Sequence, residues 1–400
     1  MAVLGVLVLT ALTVHAWAPA AHASSPTPLA TRRPSQPLPL LAYYYIWFDP
    51  ASWDRAKKDY PMLGRYSSDD VAVMRRQVSL AQRAGISGFL VSWKDTAVLD
   101  RRLDAIVKVS AAAGFKLGIV FEGLDFERDP LPMQEVDRSF HYFVTHYAEN
   151  PVFDLFGKPV VIWSGTWAYT RDEIASITRV YGSQVSILAS EKQPDSYEAL
   201  AGLFAGNAYY WSSVDPLHTP GYREKLQAFS SVVHDHHADA PVATAELKEE
   251  LGGLLGRETT EQAGGGLWIA PAAPGFDATL LGGSRIVPRR AGETLRVAMN
   301  SAVESSPDAV ALISWNEYSE NTMVEPSRNY GSTALKTIAV IEHAEPAAIP
   351  DFDSSGPSGL QSGPSGFRMG SHQVIILATV VIMLTGCAGT IALRTIRKGD

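Results

Sequence analysis

The chain has 400 residues, 46% of them hydrophobic, a formal net charge of −8 and a single cysteine. A negative balance of that size argues against nucleic acid as a partner, and one Cys, at position 387, excludes a disulfide scaffold. Whatever folds here is held together by packing, and the length suffices for one large core with segments left over at both ends.

In chain order, Met1–Ala23 carries the apolar stretch Val3–Val14 and closes on Ala21-His22-Ala23, a small-x-small cleavage pattern, although no basic residue precedes it. From residue 38 to residue 344, short apolar runs alternate with amphipathic stretches. The runs predict strands at Leu40–Ile46, Gly88–Trp93, Lys116–Phe121, Pro159–Trp163, Val185–Ala189, Asn207–Trp211, Gly266–Ala270 and Ala309–Ile313. Between them lie helices such as Asp70–Ala84, with Val71, Met74, Val78 and Ala81 on one face, a cap expected at Ser67 or Ser68, and Asp69 and Asp70 charging its N-terminus. Eight such units fit an α/β fold, a (β/α)8 TIM barrel, better than an open doubly wound sheet, which usually stops at about five to seven strands.

The segment 345–372 is rich in Pro, Gly and Ser and reads as a flexible tether. Val374–Leu393 follows without a charge, about twenty residues, enough to cross a bilayer core of about 30 Å. Arg394, Arg397 and Lys398 come next, so the tail 394–400 is expected in the cytoplasm. The expected arrangement is a monomeric extracellular barrel on a C-terminal single transmembrane helix in the cell membrane.

The last predicted strand runs directly into Ser314-Trp315-Asn316-Glu317-Tyr318-Ser319-Glu320. Two carboxylates three residues apart just past a strand's C-terminal end stand where such barrels place their chemistry. An acidic pair on a loop is ordinarily a solvated surface feature. Beside aromatic rings, a carboxylate pair is the equipment of glycoside cleavage, in which one group gives a proton and the other takes one or attacks.

The tryptophans point the same way. Trp47, Trp93, Trp163, Trp211, Trp268 and Trp315 fall at or near predicted strand ends, and Trp53 and Trp167 in the loops that follow. Sugar rings stack on aromatics so placed, while some of these rings, Trp163 and Trp268 first, belong to the core. Glu122, directly after the third strand, is a further barrel-top candidate for binding sugar hydroxyls, joined by Tyr45, Tyr210 and Glu191. The run His234-Asp235-His236-His237 has the composition of a metal tract, but late in a helix its side chains do not converge, and a solvated helix end is the better reading. No dinucleotide fingerprint, phosphate loop, G-x-S-x-G or H-E-x-x-H occurs, so neither metal nor cofactor is expected.

Several stretches resemble a known family. Ala42-Tyr43-Tyr44-Tyr45-Ile46-Trp47, Gly64-Arg65-Tyr66-Ser67-Ser68-Asp69 leading to Gln77, and Ala84-Gly85-Ile86-Ser87-Gly88-Phe89-Leu90-Val91-Ser92-Trp93 look like the endo-α-mannosidase-type glycoside hydrolases, family 99 and the related 71/99-like proteins. Ser314–Glu320, followed by Val324-Glu325-Pro326 and Tyr330-Gly331, is similar to that group's S-W-N-E-W-x-E-G-x-x-I-E-P signature. Tyr318 stands where Trp is usual and Asn321 where Gly is usual.

The resemblance implies a retaining, endo-acting glycosidase without cofactor. In it Glu317 takes the proton of the sugar 2-hydroxyl, and Glu320 protonates the departing oxygen. The substrate-binding set expected around them is Tyr45, Trp47, Trp93, Glu122, Tyr210, Trp211, Trp315 and Asn316, with an oligo- or polysaccharide as partner. The other class left open is a non-catalytic carbohydrate-binding or cell-envelope protein on the same barrel.

Overall fold

The computed structural model describes residues 38–125, 127–235 and 266–352. The N-terminal segment 1–23, the span Val374–Leu393, the tail 394–400, His236 and His237 lie outside these residues, and among the described residues no helix is long and apolar enough to cross a membrane.

Eight parallel strands close into a barrel: β1 (Leu40–Tyr45), β2 (Gly88–Trp93), β3 (Lys116–Glu122), β4 (Val160–Ser164), β5 (Ser186–Ala189), β6 (Gly206–Ala208), β7 (Leu267–Ala272) and β10 (Ala309–Leu312), which returns to β1. The seam registers Leu40 with Val310 and Ala42 with Leu312. These strands are apolar on both faces because each faces two cores. Leu41, Tyr43, Leu90, Val120, Ile162, Leu188, Ile269 and Ala311 fill the barrel interior. Their neighbours Ala42, Tyr44, Phe89, Val91, Ile119, Val161 and Val310 meet the surrounding helices. The alternation is one of facing, not of polarity, which is why buried parallel strands read as continuous apolar runs.

Each predicted strand is present, with β6 shorter than the run Asn207–Trp211 and β7 reaching Ala272. A small antiparallel hairpin, β8 (Phe276–Asp277) with β9 (Ile286–Val287), decorates the loop after β7 and has no periodic signal in the sequence. Helix Val71–Arg83 is capped by Asp70, whose carboxylate accepts from the Ala72 and Val73 amides at 2.8 and 3.3 Å, not by Ser67 or Ser68. Ser68 instead accepts the Phe48 amide, and Asp69 pairs with Arg101 and Arg102, each at 2.8 Å.

The barrel also extends past its expected end at Ala344. Pro346–Ala348 forms a 3-10 turn, Ile349 is buried, and Ser332 Oγ donates to the Pro350 carbonyl at 2.6 Å. Residues 345–352 therefore pack on the barrel instead of opening the tether, whose remainder lies outside the described residues. His234 lies in the last turn of the helix Tyr222–Asp235, with Nε2 3.3 Å from Asp308.

Candidate active site

The loop after β10 folds back on itself and onto β1. The Trp315 amide donates to the Tyr43 carbonyl at 2.7 Å, Ser314 to Thr322 at 2.9 Å, and Val324 and Glu325 return to Ser314 and Trp315 at 2.8 and 2.9 Å. Asn316 is the splint. Its Oδ1 accepts from the Tyr45 amide at 2.8 Å and its Nδ2 donates to the Tyr45 carbonyl at 3.0 Å. Its Nδ2 also reaches the Tyr66 hydroxyl at 3.3 Å, and the side chain is fully buried, so the contacts of Asn316 are with β1 and Tyr66.

Glu317 and Glu320 are each only 1% exposed. Ser314 Oγ accepts the Glu317 amide at 2.7 Å, and Glu317 Oε1 in turn accepts from the Ser319 amide at 2.7 Å. Oε2 of Glu317 and Oε2 of Glu320 are both buried with no protein hydrogen-bond partner. A buried acceptor left unpaired costs about 1–3 kcal/mol, a cost natural structures tolerate mainly where the group serves a purpose.

Their electrostatics differ. Burial pushes the Glu317 carboxyl up, while the Ser319 amide and the Lys57 charge hold it back. Glu320 is driven well above the ordinary range by burial and then by the Glu317 charge, against opposing pulls from Tyr210 and Arg128. Both carboxyls are raised by burial, and Glu320 meets the Glu317 charge in addition.

A third buried acid on the same loop, Glu325, is saturated. Gln77 Nε2 donates to it at 2.7 Å, Tyr66 at 2.9 Å and Tyr318 at 3.0 Å, while burial still raises it to about 7. Sequence reading gave Glu325, Lys57 and Arg128 no role at the site. Only the family-like motif carried a signal for Glu325, and nothing local marked Lys57 or Arg128.

Of the expected binding residues, Tyr45, Trp47 and Tyr210 come together at the barrel mouth. The Tyr45 hydroxyl donates to Tyr210 at 2.9 Å, and the rings of Tyr45 and Trp47 lie 4.2 Å apart. Glu122 points into the same interior, where Ser92 donates to its Oε1 at 2.6 Å and its Oε2 has no partner. Glu191, at the end of β5, accepts from Thr166 at 2.6 Å.

Three tryptophans do not reach the mouth. Trp93 is 1% exposed, donates to Asp100 at 2.9 Å and packs on Tyr142 and Phe143 between barrel and helices. Trp211 stacks between Tyr209 and Tyr222, centroids 5.2 and 4.7 Å away, on the outer side. Trp315 is buried against Phe89 at 5.3 Å, behind the loop. The reason is the two-residue period of a strand: Trp93 follows Phe89 and Val91 onto the helix face, and Ser92 takes the interior. Trp163 and Trp268 are likewise core rings.

The two departures from the family motif fit this geometry. Asn321 has φ 56°, a left-handed conformation that Gly adopts freely and Asn tolerates. Tyr318 is buried edge-on to Trp53 at 5.4 Å and supplies one of the three donors to Glu325. Among the described residues no cluster of three or more metal-ligating side chains occurs.

No protein-family model matches the sequence, and no curated protein matches it. Solved structures do. A family 99 endo-α-mannosidase from Bacteroides thetaiotaomicron in complex with Bis-Tris propane superposes with a TM-score of 0.59 at 17% identity, over 77% of this chain and 98% of that one. A second structure of the family 99 endo-α-mannosidase from that organism gives 0.57 at 17% identity over the same shares. A glycoside hydrolase-like protein gives 0.51 at 16% identity, over 79% of this chain and 97% of the other. In fold, the chain is similar to the endo-α-mannosidase-type barrels whose motifs its sequence resembles.

Proposed function

We propose that this chain is a retaining glycoside hydrolase acting within glycans on α-mannosidic or related α-linkages, with Glu317 and Glu320 as its working acids. The observation that carries the reading is the buried pair itself, two carboxyls on one braced loop, each with a bare oxygen and pushed to different acidities. In the first step Glu317, ionised, takes the proton of the sugar 2-hydroxyl as the 2-oxygen attacks C1. Glu320, protonated, gives its proton to the departing glycosidic oxygen. In the second step Glu320, now ionised, takes a proton from water attacking C1, and Glu317 returns its proton to the 2-oxygen. Two displacements at C1 leave its configuration unchanged. Tyr45, Trp47, Tyr210 and Glu122 supply the walls and hydrogen bonds for the sugar at the mouth. Both acids of the motif, Glu317 and Glu320, are present, which favours the enzyme over the non-catalytic reading. The two apolar ends of the sequence support a barrel held outside the cell on one C-terminal span.

The test is a leaving-group comparison. Glu320→Gln is expected to lose turnover of natural glycans but to regain part of it on an activated aryl glycoside, where proton donation no longer limits. Glu317→Gln is expected not to recover. Equal recovery of both variants contradicts the assignment.

A further inference from the structure

Among the described residues Trp167 is the one exposed tryptophan, 37% accessible, and it stands at the carboxyl end of the barrel, the end that carries Glu317 and Glu320. Its presentation is built. Gly165, with φ 88°, turns the chain out of β4, where a Cβ would meet Leu124 at 2.6 Å. Thr166–Ala168 then makes a 3-10 turn. Ser190, from the end of β5, accepts the Gly165 amide at 3.1 Å and donates to the Trp163 carbonyl at 2.8 Å. Thr166 binds both Ser190 and Glu191, accepting from the Ser190 amide at 3.2 Å and donating to the Glu191 carboxylate at 2.6 Å. Lys192 sets its ammonium 3.7 Å from the Trp167 ring centroid. A ring held outward by a buried polar network is not left exposed for want of core. Among the described residues, none of the other exposed large apolar side chains, such as Val98, Val180, Leu217 and Leu280, belongs to the loops after β4 and β5.

We infer that Trp167, with Lys192 against its ring, is a second sugar-binding subsite on the β4–β5 rim. It takes a pyranose unit of the same glycan, beyond the residues at the cleaved linkage. The apolar C–H face of the sugar lies on the indole, and a hydroxyl meets the Lys192 ammonium beside it. The inference rests on the glycosidase reading and adds that the enzyme discriminates by chain length.

The test uses the full chain and α-manno-oligosaccharides of two to six residues. For Trp167→Ala the ratio of kcat/KM on the hexasaccharide to that on the disaccharide is expected to fall roughly 2- to 13-fold, the range of an aromatic stacking contribution. Trp167→Phe, which keeps a ring, is expected to lower the ratio less. An unchanged ratio, with the native protein still cleaving both substrates, overturns the subsite and leaves the glycosidase reading standing. Native protein that cleaves no length of this or any other α-glycan overturns both.

Discussion

Glu325 differs from the two carboxyls proposed to work in this loop. Its oxygens take three donors from Gln77, Tyr66 and Tyr318, whereas Glu317 and Glu320 each keep one oxygen bare. Glu325→Ala strands three buried donors and is expected to cost about 2–4 kcal/mol in denaturant unfolding, against a smaller loss for Glu325→Gln, which keeps the shape. The same loop sets the pH dependence of turnover. The base must be ionised, and its acidity is shifted above the ordinary 4.5, so kcat/KM is expected to fall on acidification well above that value. The acid must be protonated and lies higher still, which puts the alkaline limb above the acid limb. Glu320→Gln on an activated substrate should keep the acid limb and lose the alkaline one. A profile of the native enzyme whose acid limb sits at 4.5 would contradict a base held above the ordinary carboxylate range.

At the scale of the element, the loop after β10 is fixed to β1 by the Asn316 splint and the Trp315–Tyr43 bond. Asn316→Ala removes two hydrogen bonds to the buried backbone of Tyr45 and is expected to destabilise the barrel by about 1–3 kcal/mol and to lower kcat/KM, because it loosens both the loop that carries the two acids and Tyr45, one of the proposed sugar walls. The position of Glu317 and Glu320 just past β10 was legible from the sequence, since a strand's apolar run ended before them. The facing of Trp93 was legible in principle, because it follows from counting by twos along β2, whereas Trp211 lies past the end of β6 at Ala208. Asn316 could not be separated from a binding residue without seeing β1 beside it, 271 positions away. The Asp70 cap was readable as an acidic helix start, while the choice between Asp70 and the serines depended on Phe48 claiming Ser68.

For the whole molecule, the eight-unit rhythm gave the closed barrel, because a fully buried parallel sheet leaves a run of apolar residues for each strand. The β8–β9 hairpin and the packing of residues 345–352 left no such trace, being two-residue strands and single buried side chains.

The buried acids carry a cost that pH reveals. Glu317, Glu320, Glu325, Glu122 and Glu191 are all raised above their unfolded values. A raised carboxyl contributes stability that is fully present below the unfolded value and is lost as pH rises through the folded one. The barrel is therefore expected to be more stable at pH 5 than at pH 8, by about 1.4 kcal/mol for every tenfold weakening of a carboxylic acid that folding imposes and that this pH range reverses. Glu317→Gln/Glu320→Gln should raise the melting temperature, and more at pH 8 than at pH 5, in calorimetry at both values. The apolar ends bear on topology: full-length protein is expected in the membrane fraction, with external protease releasing the barrel by cutting within 353–372. Recovery of the full chain in the soluble fraction would contradict the single span.

At the centre of this chemistry, Glu317 and Glu320 are proposed to hydrolyse an α-glycan by two displacements at C1. Carboxylates three residues apart on one loop do not readily flank a sugar at the roughly 6.5–9.5 Å that an inverting water requires. Proton NMR of the first sugar released from an α-mannan, recorded before mutarotation, reads the outcome directly. The α-anomer is expected as the initial product, drifting later to the equilibrium mixture, and an initial β-anomer would contradict the double displacement.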